Sequence, residues 1–336
     1  MSTPSTPADL VPVRIATVGT SLIVERFVAA AREVDDIEVV CAYSRDTDRA
    51  RSFAREQAIP RSTSDWQGLL ADPEIDAVYI ASPNLVHVEQ SEQVIAAGKH
   101  VLVEKPATPT SDEWQRLVEQ AAGQGVVVLE EMRPAHDPGT AEVARLLPQL
   151  GPVRRVSFDY TQRSSRYDQV LAGEKVAIFD PALAGGSFND LGVYAVSQLV
   201  QLFGEPDQVV AAAEYELTTG AEGLGVALAL YPGFVADLSH SKITRTDRPS
   251  EVQGELGSLT VDRISDPLRI TLTLLDDSST TVEVTKCDDT MTYAIAHFVD
   301  CVRGRADASV DQQRTLATLR TMERIRDVRQ RVGPTS

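Results

Sequence analysis

Short apolar runs alternate with amphipathic stretches along the first part of the chain. The runs predict strands at Val13–Val18, Ile37–Tyr43, Asp76–Ile80, His100–Val103 and Val126–Leu129. Apolar residues at helical spacing predict the intervening helices, at Ile23–Arg32, Arg45–Gln57, Leu85–Ala97 and Ser111–Gly123, the last with Ser111 as its N-cap. Strands that alternate with helices indicate a parallel sheet covered on both faces, joined by right-handed crossovers.

The pattern changes after Pro138. A helix is expected at Gly139–Leu147 and a strand at Arg154–Thr161, and short alternating runs from Gln208 to Val284 predict antiparallel strands. The last part of the chain returns to helical spacing. The predicted fold is α/β: an N-terminal Rossmann domain with a doubly wound parallel sheet, followed by a C-terminal α+β domain built on an open, mostly antiparallel sheet. The expected boundaries are a disordered tail over residues 1–12, a dinucleotide-binding domain over 13–130, and a substrate-binding and oligomerisation domain over 131–334.

Composition excludes several partners. The 336 residues carry a formal net charge of −17, which argues against nucleic acid and against an anionic membrane surface. No apolar run approaches the ~20 residues of a membrane span, and the N-terminus lacks the basic and apolar regions of a secretory signal. The three cysteines are widely spaced and suggest reduced thiols in a cytoplasmic protein, with no metal site.

The turn after the first predicted strand holds part of a dinucleotide fingerprint. In the segment ATVGTSLIVERFVAA, Gly19 stands at the first glycine position, but Ser21 and Val24 replace the second and third. A helix N-terminus still attracts a pyrophosphate, and the Thr20 and Ser21 hydroxyls can donate to it. A plain βα turn is the alternative.

The second predicted strand ends in CAYSRD. Ser44 and Arg45 come before Asp46, so no acidic residue stands directly at the strand end to accept from a ribose 2′-hydroxyl. An arginine at this position accommodates a 2′-phosphate, which favours NADP(H) over NAD(H). Alternatively, Ser44 only caps the following helix.

The third predicted strand ends in YIASPNLVHVEQ. Pro83 and Asn84 close the strand and His87 begins a helix. Asn84 can hold a ribose or a carboxamide, or it can serve as an N-cap. A lone histidine such as His87 is more often a packing residue than a catalytic one.

The run VLVEKPA places Glu104, Lys105 and Pro106 at the carboxyl end of the fourth predicted strand. Open α/β sheets bind ligands and perform their chemistry at this edge. A surface lysine before a turn proline is the alternative.

Three segments together resemble one family. The run SPNLVHVE, then AGKHVLVEKP, then LAGGSFNDLGVYAV is similar in order and spacing to the Gfo/Idh/MocA oxidoreductases, the glucose–fructose oxidoreductase and inositol dehydrogenase type. The resemblance extends from Arg14 to about Val332, and the most similar-looking branch contains the dimeric dihydrodiol dehydrogenases.

The resemblance implies a role for each motif. Lys105 would hydrogen-bond the reacting oxygen, Tyr194 would be the acid/base, and Asp190, four residues before Tyr194, would orient substrate hydroxyls. Alternatively, Tyr194 only packs in the core and Asp190 is only exposed. The implied cofactor-binding residues are Gly19, Thr20, Ser21, Ile23, Ser44, Arg45, Pro83, Asn84, His87, Glu104 and Lys105.

These motifs predict an NADP- or NAD-dependent oxidoreductase that moves a hydride between the nicotinamide and a secondary alcohol or carbonyl of a sugar- or polyol-like substrate. A homodimer or homotetramer is expected, joined through the open sheet. Two alternatives stay open: an NAD-dependent glycosidase of the same family, and a non-catalytic dinucleotide sensor. The polar segment LEEMRPAHDPG either contacts cofactor or substrate or is a solvated hinge loop.

Overall fold

The computed structural model describes residues 11–333, so the first ten residues of the predicted tail lie outside the described residues. The chain forms two compact units. The first consists of the chain up to Arg133 together with Cys287–Gln313. The second consists of Pro134–Lys286 together with the chain from Arg314 onwards.

The elements follow one another in this order. The first part of the chain forms β1 (Val13–Val18), α1 (Leu22–Ala31), β2 (Ile37–Tyr43), α2 (Thr47–Glu56), β3 (Arg61–Thr63), α3 (Trp66–Ala71), β4 (Ala77–Ile80), α4 (His87–Ala96), β5 (His100–Glu104), α5 (Ser111–Gln124) and β6 (Val128–Glu131). The next part forms α6 (Pro138–Leu146), β7 (Val153–Thr161), α7 (Tyr167–Leu171), α8 (Val193–Phe203), β8 (Gln208–Glu216), β9 (Glu222–Tyr231), β10 (Phe234–Ser241), β11 (Ser250–Gly254), β12 (Gly257–Val261), β13 (Arg269–Leu274) and β14 (Ser279–Glu283). The last elements are α9 (Met291–Val302), α10 (Ala308–Val328) and β15 (Arg329–Val332).

The first unit is a Rossmann domain. Its six strands are all parallel and lie in the order β3-β2-β1-β4-β5-β6. Strands buried on both faces explain the nearly uninterrupted apolar runs, such as Ala77–Ile80, in which every residue is buried. The strand order reverses between β1 and β4, and this is where such sheets open a crevice at their carboxyl edge.

The C-terminal limit of the first unit differs from the predicted division. Residues 287–313 were expected in the second domain, but the apolar face of α9 packs into the core of the Rossmann unit. Met291, Ile295 and Phe298 are fully buried in one cluster with Phe27 and Tyr79, whose rings stack with centroids 3.8 Å apart. The burial of this apolar face explains why α9 belongs to the first unit.

Most predicted strands and helices of the first unit are present, with shifted ends. The short strand β3 and the helix α3 were not predicted, because three largely exposed residues and a helix of six residues give little periodic signal. The N-cap of α5 is Thr110 rather than Ser111. Thr110 and Glu113 form a reciprocal capping box, which satisfies two backbone donors at the start of the helix.

The second unit is built on a nine-stranded sheet in the order β14-β13-β12-β11-β7-β10-β9-β8-β15. Most neighbouring strands are antiparallel, as predicted, but β7 pairs with β10 in parallel and β8 pairs with β15 in parallel. The last part of the chain, where the sequence pattern predicts helix, ends in the strand β15. Arg326 lies against the Phe188 ring and donates to Asn189, and residues 329–332 add an edge strand.

Over residues 11–333 no helix combines the length and the apolar character needed to cross a membrane.

Candidate active site

The turn after β1 is fixed by its neighbours on both sides. Gly19 adopts φ +113°, and a Cβ there would lie 2.9 Å from the carbonyl oxygen of Ala81. Its amide donates to the carbonyl of Tyr43 at 3.1 Å. The turn therefore requires glycine at this position although the rest of the fingerprint is missing.

The start of α1 presents polar groups beside this turn. Ser21 is the N-cap residue, but its exposed side chain makes no capping hydrogen bond. The first amides of a helix lack intrahelical acceptors, so Thr20, Ser21 and the amides up to Ile23 together offer donors to an anion. Leu22 is exposed, whereas Val24 is fully buried and anchors the helix.

At the end of β2, the structure corrects the alternative in which Ser44 caps the following helix. The N-cap of α2 is Asp46, whose carboxylate accepts from the Arg49 amide at 2.9 Å, and that hydrogen bond lowers the pKa of Asp46. Ser44 only accepts from the Asp46 amide, at 3.3 Å. Arg45 is exposed, and its side chain makes no hydrogen bond or ion pair to any residue between 11 and 333. The acid is used as a cap, while the arginine stays available for an external anion.

The loop after β4 also differs from the prediction. Asn84 opens a short 3₁₀ segment, Asn84–Val86, and Val86 rather than Asn84 occupies the N-cap position of α4. Pro83 is exposed and Asn84 is half-buried, so both remain accessible to a ligand at the carboxyl edge.

His87 has a structural role in this loop. It is fully buried, with Nε2 2.9 Å from the Ser82 carbonyl oxygen and Nδ1 3.2 Å from that of Pro106. Burial lowers the pKa of His87. Both ring nitrogens face backbone oxygens, so the structure gives no support to the predicted cofactor contact. Instead, His87 joins the loop after β4 to the loop after β5.

The end of β5 carries Lys105, with a cis peptide bond to Pro106. The side chain of the preceding residue, Glu104, is buried and accepts from the Tyr79 hydroxyl at 2.6 Å and from the Lys105 amide at 3.2 Å. Burial raises the pKa of Glu104, while the Lys105 ammonium and the Tyr79 hydroxyl oppose that rise. Lys105 therefore stands directly beside a buried carboxyl group.

The end of β6 adds a second buried carboxyl group, which was recognised from the sequence only as part of a polar segment. Glu131 is 1% exposed and pairs in register with Glu104 on the neighbouring strand. Burial, and then the charge of Glu104, raise the pKa of Glu131 well above its ordinary value. The hinge-loop alternative is wrong for Glu131 and for Asp137, because both are buried.

In the second unit, Asp190 and Tyr194 lie on one continuous helical segment. Asp190 belongs to a π-helical turn, Phe188–Gly192, that leads directly into α8, which carries Tyr194. Sequence spacing predicted a regular helix, and π-helical turns occur often at functional sites. Gly186 precedes the turn with φ +142°, where a Cβ would collide with the Glu222 carboxylate.

Lys242 is a site residue that sequence reasoning missed. Its Nζ lies 2.5 Å from Asp190 Oδ2, and its side chain is only 4% exposed, whereas that of Asp190 is 45% exposed. The Nζ also lies 5.4 Å from the centre of the Phe179 ring. The only signal in the sequence was a lysine directly after an alternating strand. The Asp190 carboxylate therefore contacts a buried ammonium on one side, while nearly half of its side chain is exposed to solvent.

Tyr194 is 5% exposed and packs edge-on against Tyr160, with ring centroids 5.4 Å apart. The Tyr194 ring is therefore packed in the core, as the structural alternative predicted. Aromatic packing fixes the ring direction and so defines where the hydroxyl can point.

Comparison with known proteins decides the family. Residues 13–132 match the model of the Gfo/Idh/MocA oxidoreductase family with an NAD-binding Rossmann fold, and residues 148–260 match a Gfo/Idh/MocA C-terminal domain. The chain is 36% identical to scyllo-inositol 2-dehydrogenase (NADP(+)) IolU of Bacillus subtilis, over 94% of this chain and 96% of that one. The protein belongs to the Gfo/Idh/MocA family.

One further relative and one solved structure were compared with the chain. Trans-1,2-dihydrobenzene-1,2-diol dehydrogenase of Oryctolagus cuniculus is 31% identical over 65% of this chain and 66% of its own. The dihydrodiol branch is thus among the relatives, at lower identity and coverage than the inositol dehydrogenase. The structure of KijD10, a 3-ketoreductase from Actinomadura kijaniata in complex with NADP and TDP-benzene, superposes with a TM-score of 0.88. It covers 96% of this chain and all of its own at 22% identity, which supports the shared fold.

Proposed function

We propose that this Gfo/Idh/MocA member is an NADP-dependent dehydrogenase or reductase that acts on a secondary alcohol or carbonyl of a sugar- or polyol-like substrate. The observation that carries the proposal is the position of Lys105, at the carboxyl edge of a Rossmann sheet beside the buried Glu104 carboxyl group. Catalytic groups of open α/β folds gather at this edge.

NADP(H) is the favoured cofactor. Gly19 lets the backbone approach a pyrophosphate, and Thr20, Ser21 and the following amides supply donors. Arg45 is exposed and has no hydrogen-bond or ion-pair partner among residues 11–333, whereas Asp46 caps a helix. The inositol dehydrogenase relative is named for NADP(+). The bound nicotinamide would accept or give the hydride.

The chain's own residues handle the proton. Lys105 would donate a hydrogen bond to the reacting oxygen, and Tyr194 would exchange the proton with the same oxygen. In the oxidation, the carbon–hydrogen bond would break and its electron pair would leave with the hydride, while the hydroxyl proton would pass to the phenolate form of Tyr194; in the reduction, the Tyr194 hydroxyl would return that proton. The oxygen that becomes a carbonyl is stabilised by Lys105 throughout.

Asp190 would orient the substrate. Its half-exposed carboxylate can accept from substrate hydroxyls while the ion pair with Lys242 fixes its direction. A carboxylate in front of a buried ammonium suits a neutral polyol, which brings donors, better than an anionic substrate.

The test is a screen of inositols, aldoses and dihydrodiols with each cofactor, followed through the absorbance of the reduced nicotinamide. Turnover of a polyol that disappears in Lys105→Met supports the proposal. Release of a sugar from a glycoside without net change in the added cofactor would replace it with the glycosidase alternative. Cofactor binding with no turnover on any class would replace it with a sensor.

The cofactor assignment has its own test. Titration by fluorescence should show tighter binding of NADPH than of NADH, and Arg45→Ala should lower only the NADPH affinity, by about 10- to 100-fold. Arg55→Ala, at the far end of α2, is the matched control and should change neither affinity. Equal affinities in the wild type would contradict the assignment.

Homo-oligomerisation is also proposed, with a second copy of the chain on the open sheet of the second unit. Apolar side chains of β8, β9 and β10 are exposed on this sheet at Val210, Val226, Leu228 and Val235. Monomeric proteins rarely expose a contiguous apolar patch of this kind on a sheet. The wild-type protein should sediment as an oligomer, and Leu228→Glu should lower its sedimentation coefficient to that of a monomer. A wild-type protein that already sediments as a monomer would contradict the proposal.

A cytoplasmic location without nucleic-acid or membrane partners completes the proposal. The net charge of −17 and the three free cysteines support it. Fractionation of cells that express the tagged protein would test the location.

A further inference from the structure

Two buried glutamates end neighbouring strands next to the proposed catalytic lysine, Lys105. Glu104 ends β5 and Glu131 ends β6, and the two residues are direct partners in the parallel pairing. Neighbouring strands lie about 4.8 Å apart, and partnered residues point to the same face of the sheet. Both side chains are buried, at 7% and 1% exposure. Two carboxylates this close, away from water, cannot both ionise at low cost.

The two groups are not equivalent. Glu104 accepts hydrogen bonds from the Tyr79 hydroxyl and the Lys105 amide, and such bonds stabilise its anion. Glu131 Oε1 is buried and accepts no hydrogen bond within the described chain. An ionised carboxylate oxygen in that position would lose the solvation that water provides, so a neutral carboxyl group fits the site better.

The charged groups around Glu131 are few. Glu104 raises its pKa, Asp289 also raises it, and Arg133 and Lys105 lower it, while burial is the largest influence. Arg26 pairs with Asp289 at 3.0 Å and so offsets part of that negative charge. Burial and the two neighbouring acids therefore favour the neutral form of the Glu131 carboxyl group.

We propose that Glu131 is a positioning residue whose carboxyl group shares one proton with Glu104, so that Lys105 always faces a single negative charge. The proposal rests on the proposed function, since it assigns Lys105 to the reacting oxygen. Its consequence is a buffer: when one carboxyl group is neutralised by substitution, the other releases the proton and restores the charge that Lys105 experiences.

The experiment measures the titration of Lys105 in the full chain without substrate. The sequence contains only five lysines, so reductive methylation with carbon-13 gives few NMR signals, and Lys105→Arg identifies the one from Lys105. We expect Glu104→Gln and Glu131→Gln each to change the pKa of Lys105 by no more than about half a unit, because the remaining acid ionises. The double variant should lower it by about one to two units.

The matched control is Glu130→Gln. Glu130 precedes Glu131 on the same strand, is equally buried, and accepts from the Ala107 amide at 2.9 Å, a bond that glutamine can keep. It should leave the titration of Lys105 unchanged. Infrared spectroscopy gives a second measurement on the single variants. A protonated carboxyl band should be present in the wild type and in Glu130→Gln and absent in Glu131→Gln.

Several results would overturn the proposal: additive shifts in the double variant, one single variant as effective as the double, or no protonated carboxyl band in the wild type. The infrared result decides the matter if the double variant does not fold. Because neither measurement uses a substrate, a failed buffer is distinguishable from a failed oxidoreductase assignment, which would show instead as absent turnover.

Discussion

The buried charges of the two units are balanced in different ways. In the second unit, the Lys286 ammonium is 5% exposed and bonds to Asp137 Oδ2 at 2.8 Å, Asp266 Oδ1 at 2.6 Å and the Pro267 carbonyl at 3.0 Å. In the first unit, Glu104 and Glu131 are buried together and Glu131 Oε1 accepts no hydrogen bond within residues 11–333. The Lys286 ammonium thus has three hydrogen-bond acceptors, whereas one oxygen of Glu131 has no hydrogen-bond donor among the described residues.

The difference separates structural charges from functional ones. A buried ion pair with every hydrogen bond made holds elements together, and removal of one partner is costly. A buried ionisable group without partners has a perturbed pKa, and such groups concentrate at active sites. Lys286 ties the loop before α6 to the strands that follow, whereas Glu131 lies at the edge where the chemistry is proposed.

The largest effect on stability is expected at Lys286. Lys286→Met removes the ammonium bonded to the buried Asp137 carboxylate and should lower the free energy of unfolding by about 3–5 kcal/mol. Chemical denaturation measures it, with Lys175→Met, at an exposed lysine, as the control that should change little. A loss under about 1 kcal/mol would remove the contrast between the two clusters.

The Asp190–Lys242 pair should respond unequally to the removal of either partner. Asp190→Asn leaves a buried ammonium opposite a neutral amide and should lower the free energy of unfolding by about 1–3 kcal/mol. Lys242→Met leaves a half-exposed carboxylate that water can reach, so the cost should stay below about 1 kcal/mol. Chemical denaturation of both variants measures which substitution lowers the free energy of unfolding more. A larger loss in Lys242→Met than in Asp190→Asn would contradict the argument from burial.

Glu131→Gln should hardly change stability, in contrast with Lys286→Met. The amide has nearly the shape of a protonated carboxyl group, so we expect a change of less than about 1 kcal/mol at neutral pH. Turnover on a confirmed substrate should also keep its wild-type pH profile, because the ionised Glu104 then supplies the single negative charge that Lys105 experiences. A destabilisation as large as that of Lys286→Met would show that Glu131 is a structural charge after all.

A further prediction concerns the pH dependence of stability at His297 in the first unit. The hydrogen bond to Asp311, at 2.6 Å, and then that to Cys301, raise the pKa of His297 to about 10. A folded pKa above the unfolded value of 6.5 means that the stabilisation is complete below pH 6.5 and is lost as the pH rises towards 10. His297→Gln and Asp311→Asn should each flatten the decline in unfolding free energy over this range. An unchanged slope would contradict the assignment.

Sequence patterns predicted the sheet of the first unit better than its side-chain contacts. Buried strands such as Ile37–Tyr43 are visible as apolar runs, and the motif around Lys105 marks its own strand end. Lys242 and Glu131 acquire their roles through partners that are distant in sequence, Asp190 and Glu104. Local patterns carry no information about such contacts. The membership of α9 in the first unit was missed for the same reason.

The central proposal is that Lys105 and Tyr194 act on one proton-transfer step. Turnover of Lys105→Met, Tyr194→Phe and the double variant on a confirmed substrate tests it most directly, with thermal melting and NADPH titration to confirm that each variant folds and binds cofactor. Each single variant should lose about 10²- to 10⁴-fold in turnover. The double variant should be little worse than the worse single one, because groups that act as a unit are not additive. Losses that multiply in the double variant, or near-wild-type turnover in Tyr194→Phe, would contradict the account.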